Sequence, residues 1–202
     1  MMSRFVPARF RPAFDRAKAF LADARQDTRA VSAVEFAMIV PVMATLFLAS
    51  VETTQGLQID RKVSLTARAL SDLASQSTVI ADTEMTNILD ASSDILTPFA
   101  ASNALLVVTG IQIDTKGKAT VAWSDHRNSA RYTCGATIAV PTQLMPDLGT
   151  SGFLVLAEVK YNYQPIIGYL ITGTVQLSDR LYTRPRIGDT ISRTPSQGSG
   201  CI

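Results

Sequence analysis

The stretch Ala30–Val51 reads AVSAVEFAMIVPVMATLFLASV, and Glu35 is its only charge. At a helical rise of about 1.5 Å per residue this run extends about 33 Å, enough for a bilayer core of about 30 Å. A cleaved secretory signal has a shorter apolar region ending in small residues at its cleavage site. Here the run is longer, holds an acid near its start and passes straight into further helical sequence. The pattern predicts a retained membrane helix, with a cleaved signal and a soluble core helix as the alternatives.

The charges on either side of this run differ. Residues 1–29 carry seven Lys/Arg (Arg4, Arg9, Arg11, Arg16, Lys18, Arg25, Arg29) against Asp15, Asp23 and Asp27, a balance of +4, and the remainder carries −2. The positive-inside rule then keeps the N-terminal tail in the cytoplasm and exports the C-terminal part. Within the tail, Phe10, Phe14, Ala17, Leu21 and Ala24 recur at helical spacing. They fit either a basic amphipathic helix on the anionic membrane surface or a disordered leader. The chain has 202 residues, of which 47% are hydrophobic and 18% charged, and its mean hydropathy is slightly positive because of the single apolar run. A net charge of +2 gives no electrostatic case for nucleic acid. Two cysteines and one histidine exclude a disulfide-dense scaffold, a four-cysteine zinc site and a multi-histidine metal site.

Beyond the apolar run the helical period continues. Leu57, Ile59, Val63, Ala67, Leu70, Leu73 and Ala74 form a stripe, and Gly56 alone is a weak breaker, so one long helix is expected over 31–77. A second helix is expected over 82–100, ending at Pro98. Strand patterns follow. Leu105–Asp114 and Lys118–Ser124 flank a DTKGK turn with Gly117 at its tight position, and Ala119, Val121 and Trp123 are expected on one face. Phe153–Gln164 alternates, with Val155, Val159, Tyr161 and Tyr163 opposite Glu158, Lys160, Asn162 and Gln164. Thr174–Tyr182 is a further strand, and the tail from Arg184 reads as irregular. The expected fold class is α+β and pilin-like: a long N-terminal helix, its first half transmembrane, packed on a small antiparallel sheet. The expected divisions are a leader (1–30), a transmembrane helix (31–54) and a periplasmic domain (55–202).

A carboxylate inside an apolar helix costs about 2.5–3.5 kcal/mol at the bilayer centre, less near the interface, and calls for a cationic partner. Glu35 therefore either reaches the headgroups or has a role. The run Arg29-Ala30-Val31-Ser32-Ala33-Val34-Glu35-Phe36-Ala37, followed by Pro41, resembles the N-terminal signature of the TadE/TadG-like family, the pseudopilins of the tight-adherence type IV pilus. The resemblance implies prepilin-peptidase processing between Ala30 and Val31, where the family usually has Gly before the cut. Glu35 would then be fifth in the mature chain, pairing with the free amine of a neighbouring subunit. It also assigns Phe36 and Pro41 to subunit assembly. Pro41 deletes one backbone hydrogen bond and is either a weak point in the helix or a tolerated membrane-helix proline. A second stretch, Glu158-Val159-Lys160-Tyr161-Asn162-Tyr163-Gln164-Pro165, then Ile166–Ile171 and Tyr182-Thr183-Arg184-Pro185-Arg186, is similar to the family's C-terminal pattern. Residues 78–150 match nothing in it.

If the C-terminal part is exported, Cys134 and Cys201 lie in an oxidising compartment, where one intramolecular pairing exists. It would close a loop worth about 4 kcal/mol in the chain-entropy model. Free or intermolecular thiols are the alternative. The apolar run Ile166-Ile167-Gly168-Tyr169-Leu170-Ile171 is unusually hydrophobic for a connection. It either caps the core or presents Ile166, Ile167, Tyr169 and Leu170 for subunit docking. His126, in Ser124–Asn128, reads as a surface-loop histidine, and Asp90 and Asp94 as a solvated helix face. With no phosphate-cradling glycine loop and no nucleophile elbow, the sequence points to no enzyme, no cofactor and no metal.

The function these features imply is a minor pilus component anchored in the bacterial inner membrane, initiating or capping the filament and carried into the extracellular pilus. Its partners would be other pilin and minor pilin subunits, the prepilin peptidase, inner-membrane platform proteins and lipid, with no nucleic acid. The alternative is a membrane-anchored periplasmic sensor or envelope-binding module that never enters a filament.

Overall fold

The computed structural model describes residues 28–147, 149–165 and 173–194. The chain divides into two units, Met1–Val51 and Glu52–Ile202. Residues 1–27 of the basic leader with its 10–24 stripe, the apolar loop 166–171 with Ile166, Ile167, Tyr169 and Leu170, and Cys201 lie outside the described residues.

Helix α1 runs Thr28–Ser75, unbroken through Pro41 and Gly56. Proline leaves the Ala37 carbonyl without its helical donor. One turn later Thr45 Oγ1 donates to Pro41 O at 2.7 Å. In the second unit Ile59, Val63, Ala67, Leu70 and Ala74 are buried, three or four residues apart, the spacing of one helix face. Leu57, expected on that stripe, is 58% exposed. Two residues turn the helix by about 200°, so Leu57 faces away from Ile59.

After β1 (Val79–Ile80), helix α2 spans Asp82–Asp94 and buries Met85, Ile88 and Leu89. It is shorter than the expected 82–100. Leu96 and Thr97 donate to the carbonyls three residues back, a tightening turn, and Thr97 precedes a proline that disfavours helical backbone. Lys62 Nζ donates to Ile95 O at 2.9 Å, supplying a donor where the helix runs out of them.

Strands β2 (Ala104–Ile113), β3 (Ala119–Arg127), β4 (Gly152–Tyr163) and β5 (Val175–Thr183) form an antiparallel sheet in the order β3-β2-β4-β5. One face, bearing Leu106, Val108, Val155, Ala157, Val159, Tyr161 and Tyr163, packs into the main core with α1 and α2. Gly117, at φ +78°, makes the β2–β3 turn as the sequence indicated.

The two faces of β3 are not as expected. Gly110 pairs with Trp123 but Ile111 pairs with Val121, so Ala122 is an extra residue in a β-bulge. One inserted residue reverses the alternation. Ala119 therefore packs with Ile111, Ile113, Leu154 and Leu156 on the second face, and Trp123 with the main core. Trp123 and Phe153 close over Gly110, where an added Cβ would lie 2.4 Å from the indole and 2.7 Å from the phenyl ring. Gly110→Ala is expected to destabilise the domain by about 3 kcal/mol. Denaturant unfolding followed by the fluorescence of Trp123, the only tryptophan, measures it.

The expected irregular tail instead holds a strap. Arg186 N donates to Ser75 O, Ser192 N to Thr78 O and Thr194 N to Ile80 O, and β6 (Ser192–Arg193) pairs in parallel with β1. Ile191, fully buried, completes the main core. On the other face the chain between β3 and β4 forms a cover: Tyr132, Ile138, Val140, Leu144 and Met145 pack over Ile111, Ile113, Leu154 and Leu156. It is fastened to β3 by Gly135 N to Val121 O, Val121 N to Ala136 O and Ile138 N to Ala119 O.

Candidate functional site

In the first unit every side chain from Val31 to Phe47 is exposed, Phe36 by 69% and Met38 by 73%. A helix apolar on all sides has no stable place in water, and among the described residues this is the one helix long and apolar enough to cross a membrane. Glu35 lies near its start. Residues 31–51 hold no Lys or Arg, so no cation one turn away on the helix offsets that charge. Phe36 and Pro41 share this exposed segment, and the Ala30–Val31 bond lies within the helix.

The second unit begins with a carboxylate that sequence reasoning passed over as the end of the apolar run. Glu52 is buried, 3% exposed, beside Tyr163. Burial pushes the Tyr163 hydroxyl up, and the Glu52 charge adds to it. The signal available was spacing: Glu52 stands seven residues before Ile59, two turns along the buried face.

Glu158 lies on the face of β4 opposite Val155, Val159, Tyr161 and Tyr163, as the alternation indicates, and it is 4% exposed because the cover lies over that face. Tyr132 OH donates to its Oε2 at 2.7 Å, and Arg180 Nε lies 2.5 Å from Oε1. Beside it Thr109 and Ser124 hydroxyls are paired at 2.9 Å. Burial first, then the hydrogen bond and charge of Glu158, push the Tyr132 hydroxyl up to about 12. The neutral phenol is thus favoured by folding. Its contribution is complete below the ordinary tyrosine value near 10 and is lost as pH rises through about 12. Alkaline unfolding followed by Trp123 fluorescence should show a loss of stability across that interval, reduced in Tyr132→Phe.

Arg193 is the most buried cation among the described ion pairs, 5% exposed. It joins Asp82 at 2.7 Å and Asp125 at 2.9 and 3.0 Å, and Nη1 also donates to Ile80 O. Desolvation alone would lower its pKa, but the two carboxylates raise it. This cluster closes the strap.

His126 is exposed but lies within β3 rather than in a loop. Asp90 and Asp94 are exposed on α2, and Asp90 pairs with Arg127 at 2.6 Å. Among the described residues no group of His, Cys, Asp and Glu could hold a metal. Among the described residues a cleft of about 690 Å³ lies at the Ile113–Gly152 end of the sheet, and its ionisable side chains, Asp147, Arg184 and Asp189, are all exposed. Cys134, on the cover, is disulfide-bonded, and Cys201 lies outside the described residues. No protein-family model, curated protein or solved structure matches this chain.

Proposed function

We propose that this chain is a minor pilin-like component of a tight-adherence type IV pilus, held in the inner membrane by α1 with its N-terminus cytoplasmic and its β-sheet domain periplasmic. The observation that carries the reading is the 31–51 segment: about 30 Å long as a helix, exposed on every side from Val31 to Phe47, with one acid and no cation of its own. In lipid the apolar side chains are satisfied and Glu35 is not, so the segment favours a second chain that brings a positive charge. Processing of a neighbouring pilin subunit at the matching bond would give that subunit such a charge, its free N-terminal amine, as cleavage after Ala30 would give this chain one at Val31. Phe36 and Pro41 would shape the same contact surface. The role is physical rather than catalytic: the helix recruits pilin subunits, and the domain starts or caps the filament. The coarse layout, one long apolar helix followed by a small antiparallel sheet, supports the reading.

The test is whether the chain is recovered with sheared filaments or their assembly bases, and whether recovery depends on Glu35. N-terminal sequencing of the recovered chain reports cleavage at Ala30–Val31. A chain found only in the inner membrane, with no pilin bound to it, would overturn the assignment and favour an anchored envelope-binding module.

A further inference from the structure

The sheet has two outer strands, and the fold treats them differently. Beside β3 the chain at 135–138 bonds to Ala119 and Val121, a bulge interrupts the register at Ala122, and the strap holds Trp123 and Asp125. Exposed edges are blunted in this way, by bulges, proline, lysine or a covering segment, because an open edge invites another strand. Among the described residues β5 has none of these. Its nine residues pair with β4 without a shift, and they include neither proline nor lysine. In an antiparallel strand about every second residue turns its N–H and C=O away from the neighbour, so β5 presents a hydrogen-bonding edge about 30 Å long. The one bond to its main chain outside the ladder, among the described residues, is Arg180 N to Asp179 Oδ1 at 2.8 Å.

The inward side of that edge is only partly covered. Leu177, Asp179 and Leu181 lie opposite Tyr161, Val159 and Ala157 on the main-core face, and all three are half-buried. A groove of about 350 Å³ runs between the end of β5 and α1, lined by Arg68, Ala69, Asp72, Leu181, Thr183 and Arg186. Leu65, one turn before Ala69 on the same helix face, is 53% exposed. Arg186 pairs with Asp72, whereas Arg68 is exposed and has no ion pair among the described residues. We propose that β5 and this groove take an extended segment of a partner protein as a fifth strand of the sheet. The inward side chains of that segment run apolar, basic and apolar opposite Leu177, Asp179 and Leu181, then acidic beside Arg68. Main-chain bonds along β5 supply affinity that any strand could share, and the charges of Asp179 and Arg68 select the pattern. They also select against a second copy of this chain. Two β5 edges paired over their full length about a two-fold axis would set Asp179 opposite Asp179, and like charges directly opposite destabilise a strand pair.

The probe is a synthetic peptide antiparallel to β5, with threonine at its outward positions and, from its N-terminus, glutamate, valine, lysine and valine at its inward ones. It is added at millimolar concentration to the full-length chain in detergent micelles. Hydrogen exchange at the β5 amides is expected to slow at least tenfold, with β3 unchanged. Anisotropy of the labelled peptide then gives the affinity, with Trp123 fluorescence reporting that each variant keeps its domain. Arg68→Glu should weaken binding about tenfold, and a peptide with lysine in place of its glutamate should restore it. Asp179→Lys should weaken it likewise, with recovery by a peptide whose lysine is replaced by glutamate. No slowing in β5, protection at another strand instead, or an affinity indifferent to both charge reversals would each overturn the proposal. So would slowing of β5 exchange as the chain is concentrated without peptide, which would mark a second copy as the occupant. None of these outcomes bears on recovery with filaments, so the pilus assignment stands or falls separately.

Discussion

Glu35→Ala is expected to leave the chain inserted in the membrane and to remove it from filaments. Removing the carboxylate takes away a cost of up to about 2.5–3.5 kcal/mol at the bilayer centre, so insertion becomes easier rather than harder. Under the proposed role, what would be lost is the acceptor for a neighbouring chain's cation. Breaking a buried ion pair by deleting one partner costs about 3–5 kcal/mol, and 3 kcal/mol is already more than a hundredfold in an association constant. The chain recovered with sheared filaments should therefore fall about a hundredfold or more, with unchanged amounts in the inner membrane. Glu35→Gln, which keeps the shape and loses the charge, should behave like the alanine variant. Wild-type recovery of both variants would remove Glu35 from the mechanism.

The second large effect is expected at Arg193. Its guanidinium is almost fully buried between Asp82 and Asp125, and Arg193→Ala would leave two carboxylates facing each other without their common cation. The expected loss is about 3–5 kcal/mol, a large share of the 5–15 kcal/mol that holds an ordinary domain together. The strap also loses its anchor, two residues from the Ile191 carbonyl that receives the Trp123 indole. Denaturant unfolding read by Trp123 fluorescence measures both effects, a lower midpoint and a changed native spectrum. Arg193→Lys keeps the charge but not the fork that reaches Asp125 through two nitrogens, and should fall between. A loss below about 1 kcal/mol in the alanine variant would show that the strap is held by its backbone bonds alone.

Regular elements with a strong period were legible in the sequence. The long helix, the hairpin at Gly117 and the alternation of β4 all appear where the period placed them, because burial of one face writes a repeat of 3.6 or 2 into the chain. The bulge at Ala122 leaves no such trace. A single inserted residue is silent in composition yet reverses the facing of Trp123. The burial of Glu158 leaves none either: alternation identifies the two faces of a strand, not whether a distant segment covers the second. The strap was missed because its hold comes from Trp123, Asp82, Asp125 and Ile80, residues far away in sequence.

Of the candidate assembly residues, the sequence by itself determined the bilayer-length run, the isolation of Glu35 within it and the charge asymmetry on either side. These are properties of consecutive residues, and no partner is needed to define them. Only the tertiary structure decided that Glu158 is buried, that two irregular segments close the sheet, and that Arg193 serves two carboxylates. Each depends on which distant segments meet, and contacts across tens of residues leave no local period for a single sequence to display.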